Sequence, residues 1–373
     1  MGEIVEGVAK PERFDIRLRL LCVGPLLVAA AVLTASPAAA ATRELKSPRL
    51  SALGVASGPI RDSILSSSAT RRLAAVASWG GTFTASTGEP VTINVSDTYP
   101  VDNARAQRWA NFFGSLVHGS EISSVQVFLA PLDEVQQFCG QDALACYSPN
   151  QHLLVSPGDD PSADLSAEAV VTHEYGHHVA NSRSDAPWAA IDYGTKRWSS
   201  YMQVCAKTAA GELFPGAEQD ARYRLNPGEG FAESYRVLNQ RRLGVAESPW
   251  QVVSNALYPD DTALSLIQQD ILAPWNGNSQ STLSASLTKR AKTRTLSVAT
   301  PLDGVFRVTI RAAKGERVGV DLLGNTGARI SHTVVTGTSS RSLTTTVCGS
   351  RTYSVKLSLT KGSGRARATV SKA

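Results

Sequence analysis

The sequence predicts an α+β chain: a mixed sheet with helices, followed by a small all-β sandwich. Three observations carry this. From residue 76 short β-branched runs alternate with amphipathic stretches. From residue 281 seven short alternating runs follow one another, separated by turns containing Gly or Lys. Charge divides at the same place. Residues 281–373 hold 16 Lys and Arg against 3 Asp and Glu, while residues 42–280 hold 17 against 25, so the two parts have different electrostatic duties. With 373 residues, 42% of them hydrophobic, the chain suffices for two ordinary domains.

Residues 1–41 differ from the rest. A charged lead-in, KPERFDIRLR, precedes the apolar run LLCVGPLLVAAAVLTA and the small residues SPAAAA, the pattern of a secretory signal peptide cleaved near Ala40. A membrane anchor is the competing reading, opposed by Pro25 inside the run. No second run is apolar enough to span a bilayer, so no membrane association is expected after cleavage. Residues 42–75, rich in Ser, Arg and Ala, read as a linker or pro-segment. Removing the leader removes Cys22 and leaves Cys139, Cys146, Cys205 and Cys348, an even number that suggests two disulfides. Cys139 and Cys146 close a short loop at low entropic cost, and Cys205 with Cys348 follows by subtraction.

The segment 76–280 reads as one domain. ASWGGTF and PVTINVSD are strands joined by the turn STGEP, and VDNARAQRWANFFGSLVHG is an amphipathic helix. SSVQVFLAP is a strand, LDEVQQF a short helix, CGQDALAC a cysteine loop and HLLVS the candidate edge strand. A helix follows from near Ser166, then irregular chain over 183–228, helices over EGFAESYRVLNQRRLG and DTALSLIQQDIL, and the linker APWNGNSQS.

The helix after Ser166 contains AVVTHEYGHHVANS. Residues four apart share a helix face, so His173 and His177 can offer ring nitrogens to one zinc ion. Glu174, one step round, can hold a zinc-acidified water and act as general base against a peptide carbonyl. The third ligand must come from later in the chain. Asp192 is one candidate. The stronger is NPGEGFAESYR, where Glu229 and Glu233 share a helix face, one to bind the ion and the other to fix a ligand histidine. His178 is rotated about 100° from His177 and is read as packing or support. Ala180 and Arg183 stand where a metzincin needs Gly and His.

HEYGHHVAN, followed 52 residues after His177 by EGFAESYR, resembles the Glu-ligated zincins (gluzincins). It is most similar to the protease domain of anthrax-lethal-factor-type peptidases, with Asn226 matching the lead-in to Glu229. CGQDALACYSPNQHLLVSPG also resembles the stretch ahead of HExxH in bacterial neutral zinc metallopeptidases. The resemblance implies a zincin-like catalytic domain over 76–280 holding one Zn2+ per chain. His173, His177 and Glu229 would be ligands, Glu174 the catalytic base, Glu233 a supporting residue and Tyr223 an oxyanion donor. An aminopeptidase is disfavoured, because no Gly-x-Met-Glu-Asn motif occurs.

The strands of 281–373 resemble a pre-peptidase-type C-terminal β-sandwich. Their basic surplus favours an anionic cell-surface polymer, and sparse aromatics give no support for nucleic acid. The expectation is a secreted, monomeric zinc endopeptidase acting on peptide or protein substrates. The alternative is an exported or wall-associated binding protein whose zinc site is structural or vestigial. Asp159, Asp160 and Asp164 could bind calcium, or simply form a turn.

Overall fold

The structure, a computed structural model, describes the backbone of residues 61–64 and residues 76–217, 220–250 and 253–373. The expected leader, its cleavage point near Ala40, and residues 42–60 and 65–75 lie outside the described residues. The fold is α+β, with one mixed sheet and two antiparallel ones.

Six strands form the mixed sheet: β1 (Arg61–Ile64), β2 (Ser78–Thr84), β3 (Pro90–Ser96), β4 (Gln126–Ala130), β5 (Ala143–Ser148) and β6 (Leu153–Pro157). Their order is β1-β5-β6-β4-β3-β2. The central pairs β3–β4 and β4–β6 are parallel; β4 and β6 are buried on both faces and read as nearly continuous apolar runs, whereas β3 alternates buried Val91, Ile93 and Val95 with half-buried Thr92 and Asn94. Helices α1 (Asn103–Ser115), α3 (Ala167–Asn181), α8 (Pro227–Leu243) and α9 (Asp261–Leu272) pack around Ile93, Val127, Leu129, Tyr175, Phe231 and Ile267 in one core. The short α2 (Leu132–Cys139) covers the other face through Val135, beside Phe128 and Val155.

Three elements differ from the sequence reading. HLLVS is not an edge strand: β6 lies between β4 and β5. Next to it lies β5, inside the expected cysteine loop, with Ala143, Ala145, Cys146 and Tyr147 buried, and β1 forms the edge beyond it. After β5 a tight turn ends at His152, whose φ is +53°, and the chain returns antiparallel as β6. The irregular stretch 183–228 holds α4 (Ala190–Tyr193), α5 (Lys196–Tyr201), α6 (Val204–Ala209) and α7 (Asp220–Tyr223), each too short to show helical periodicity. The linker APWNGNSQS runs into an eighth sandwich strand, β7 (Ser279–Leu287), whose polar start SQST hides the alternation.

The remaining strands are β8 (Thr293–Thr300), β9 (Gly304–Arg311), β10 (Arg317–Leu323), β11 (Arg329–Thr336), β12 (Ser340–Val347), β13 (Arg351–Lys361) and β14 (Gly364–Lys372). They form two antiparallel sheets, β11-β10-β13-β8 and β12-β9-β14-β7. Their inward residues, among them Val308, Ile310, Val320, Leu322, Val355 and Leu357, make a second core.

Both expected disulfides are present, Cys139–Cys146 and Cys205–Cys348. The second ties α6 to the sandwich, and polar contacts reinforce the seam. Lys196 is fully buried, pairs with Asp185 at 2.7 Å and donates to the backbone oxygen of Asp303 at 3.0 Å. Its ammonium also lies over the Trp275 ring, 4.6 Å from the centroid. The Asp303 amide donates to Ser200 Oγ at 2.9 Å, and its carboxylate accepts from the Gly349 amide at 2.5 Å. Burial pushes the Asp303 carboxyl up to about 7; the Gly349 amide pulls it down, the Asp185 carboxylate adds to the rise, and Lys196 opposes it.

Folded Asp303 therefore keeps its proton where the unfolded residue has lost it. Its contribution to stability is full near pH 4 and is lost as pH rises toward about 7. Asp303→Asn keeps the acceptor for Gly349 and never ionises. Its melting temperature relative to wild type should rise between about pH 5 and about pH 8, and a difference independent of pH would contradict the assignment.

Candidate metal centre

The site is built where α3 crosses α8. Helix α3 begins at Ser166, whose Oγ accepts from the Ala169 amide at 3.1 Å, with Asp160 accepting from the Ala167 amide at 2.9 Å. Residues 169–180 are buried without interruption, so this is a core helix, packed against β5 and β6 on one side and α8 on the other. Helix α8 starts with Asn226 as cap, accepting from Gly228 N at 3.0 Å, and with Pro227 in the first turn. Glu229 lies in that first turn, where the helix dipole favours a carboxylate.

Two glycines permit the approach. A Cβ on Gly176 would lie 2.8 Å from Ala232 Cα and 3.1 Å from Ala232 O; one on Gly228 would lie 2.4 Å from Ile191 O. Both obstacles are backbone, so only Gly lets α8 come this close to α3 and α4.

The crossing brings together His173, His177 and Glu229, all buried, with one ligand atom from each within 4.8 Å of the others. Glu229 Oε2 is 3.3 Å from His173 Nε2 and 3.5 Å from His177 Nε2. Donors held tetrahedrally about 2.0–2.1 Å from one ion stand about 3.3–3.4 Å apart, so the three residues fit a single metal ion. Among the described residues this is the one group with such geometry.

The support is equally specific. His173 Nδ1 meets Glu233 Oε2 at 3.1 Å, which assigns the proton to Nδ1 and leaves the Nε2 lone pair for an ion. Arg236 Nε bonds Glu233 Oε2 at 2.6 Å and its Nη2 bonds Oε1 at 3.1 Å. Burial alone would raise the Glu233 carboxyl; Arg236 and then His173 overcome it and hold it down to about 2, so it stays ionised. Tyr223, buried at the end of α7, donates its O–H to Glu229 Oε2 at 3.1 Å. Glu174 is buried on the same turn of α3.

The other candidates take structural places. His178 donates from Nε2 to Glu121 O at 2.9 Å, and its Nδ1 accepts from Tyr147 O–H at 3.0 Å. Burial lowers its pKa to about 4, so it stays neutral and packs away from the metal group. Asp192 is half-buried, which raises its carboxyl, while nearby His177 opposes the rise; it stands outside the ligand set. Asp159 pairs with Arg105 at 2.6 Å and Asp160 caps α3, so that aspartate cluster serves its turn. Arg236 had no role in the sequence reading, although it stands in the quoted ESYR. Nor had the buried pair Arg183–Glu121, at 2.7 Å, which lies against His178 and Tyr175.

No family model matches the chain, and no curated protein matches it. Among solved structures the chain is similar to the mitogen from Yersinia pseudotuberculosis (TM-score 0.21, 7% identity, 26% of this chain and 87% of that one). It is also similar to a Bacillus endospore appendage protein of disulfide-linked pili (0.18, 15%, 26% and 85%). A third is the carbohydrate-binding module CBM36, solved with calcium and xylotriose (0.18, 16%, 26% and 92%). Likeness this slight carries no argument about the metal centre.

Gly176→Ala should drive α8 away from α3. The expected result is a loss of about 1–3 kcal/mol in stability and a weaker hold on metal, read by chelator competition. Unchanged metal affinity would mean that the close crossing does not set the ligand geometry.

Proposed function

We propose that residues 76–280 are a zincin-like peptidase domain and that the chain is a secreted zinc metallopeptidase cutting peptide bonds. One observation carries the reading: His173, His177 and Glu229 converge as three donors, with Glu174 buried beside them on the same helical turn. A structural zinc site closes all four positions with protein ligands; here, among the described residues, the group has three. Zinc in this group would acidify a water in its fourth position and polarise the scissile carbonyl.

The protein's own side chains supply the rest. Glu174 takes the proton of the attacking water and passes it to the leaving amine. Glu233, kept ionised by Arg236, holds the His173 ring at Nδ1 and leaves Nε2, beside Glu229, as the atom that would hold the ion. Tyr223 donates its one O–H to Glu229 and would redirect it to charge developing on the carbonyl oxygen when substrate is bound. Secretion is supported by two disulfides, which persist in oxidising compartments. Among the described residues no helix is long and apolar enough to cross a membrane.

Sheet geometry supports a strand-like mode of substrate binding. Helix α3 lies over the β5–β6 end of the sheet, and β5 is the strand whose outer side an extended peptide would join. In this chain β1 holds that side, running parallel from Arg61↔Ala143 to Ile64↔Tyr147. A chain beginning at residue 76 should therefore cut a peptide with a KM at least several-fold lower and a similar kcat. An unchanged KM would place the substrate elsewhere.

The deciding test of the reaction is casein hydrolysis by the purified mature chain beside Glu174→Gln carrying equal zinc. Wild type should cut and the variant should lose at least ~100-fold of the rate. Cutting by the variant would remove Glu174 as base. An inactive wild type holding one zinc per chain would favour the structural-site alternative.

A further inference from the structure

We infer that the outer face of the sheet β12-β9-β14-β7 is a docking surface for a linear phosphodiester polymer of the polyol-phosphate type. The inference is independent of the metal centre. Strand alternation turns Val308, Ile310, Ala366, Ala368 and Val370 inward, where they are buried. Their neighbours face outward, and these include Arg307, Arg311, Arg365 and Arg367, all exposed. Around them stand hydroxyl residues, among them Ser284, Ser286, Thr309, Ser342, Thr344 and Thr369.

Register joins the arginines into a trail. Arg367 pairs directly with Arg311 across β14 and β9, Arg365 is two residues from Arg367, and Arg307 lies four residues from Arg311 along β9, opposite Ser371, with Thr309 between. Neighbouring strands lie about 4.8 Å apart and alternate residues about 6.7 Å apart, so Arg311, Arg367 and Arg365 repeat on the scale of adjacent charges in a phosphodiester chain, and Arg307 stands two such steps, about 13 Å, along β9. Like charges directly opposite each other destabilise a sheet. Among the described residues no carboxylate pairs with the four arginines. Of the three acidic residues in 281–373, Asp303 and Glu316 are buried and Asp321 lies on β10 of the other sheet.

This chemistry selects an anion of a particular kind. Guanidinium forks grip phosphate oxygens in pairs, and hydroxyls donate to those that remain. A polymer bridging Arg367 and Arg311 converts their repulsion into two attractions. At one end of the trail a depression of about 490 Å³, lined by Asn278, Gln280, Arg307, Thr369 and Ser371, offers amide and hydroxyl partners for polyol groups between phosphates. The face carries no aromatic ring on which a base could stack, which disfavours single-stranded nucleic acid. The sandwich's basic surplus adds long-range attraction that salt will screen.

The test is direct binding of poly(glycerol phosphate) to the full chain at about 50 mM salt, with a polyuronate and double-stranded DNA as comparison polymers. Two double variants of equal charge loss are compared: Arg311→Ser with Arg367→Ser on this face, and Arg317→Ser with Lys356→Ser on the opposite sheet. The expected result is at least ~10-fold weaker poly(glycerol phosphate) binding for the first pair and under ~3-fold for the second. Equal losses from both pairs would reduce the effect to net charge and overturn the assignment. So would wild-type chain that ignores poly(glycerol phosphate), or that binds the polyuronate or DNA as tightly.

Discussion

The grouping of His173, His177 and Glu229 depends on the backbone contact between Gly176 and Ala232. It lets two buried helices cross closely enough for side chains of ordinary length to share a point. His173 and His177 flank Gly176 on α3, as Glu229 and Glu233 flank Ala232 on α8. Any larger residue at 176 would separate the two rows. The motif's glycine is therefore as much a part of the site as its histidines.

Placing so many ionisable groups inside a core is costly unless each is matched. The protein matches them in relays. Arg236 neutralises Glu233, which orients His173; Arg183 neutralises Glu121, whose backbone oxygen and nearby ring system hold His178. The two relays differ in kind. Glu233 is forced to stay charged, so it can hold a polarised histidine, whereas His178 is forced to stay neutral and acts as a packing element with two fixed hydrogen bonds. Adjacent imidazoles on one helix thus acquire unlike roles from their surroundings alone.

Legibility in the sequence followed the range of each interaction. The pairing of His173 with His177 was visible because residues four apart share a helix face, and that of Glu229 with Glu233 for the same reason; of these, His173, His177 and Glu229 come together as a group that could hold a metal ion. Cysteine counting led to both disulfides. The α+β class and the sandwich were visible through period-two alternation. What escaped was non-local or too short. Arg183 and Glu121 are 62 residues apart, and the seam around Lys196 and Asp303 spans 107. Strand β5 hid within the expected cysteine loop and β1 within the stretch read as linker or pro-segment, so β6 read as the edge although two strands lie beyond it. Helices of four to six residues have no period to read.

The most direct measurement of the central claim is zinc-edge X-ray absorption on the purified chain at known stoichiometry, beside Glu229→Ala. The expected result is one zinc per chain with two imidazole nitrogens and a carboxylate oxygen at about 2.0–2.2 Å, the carboxylate contribution vanishing in the variant. A chain that retains no zinc, or a shell with sulfur or a single imidazole, would contradict it.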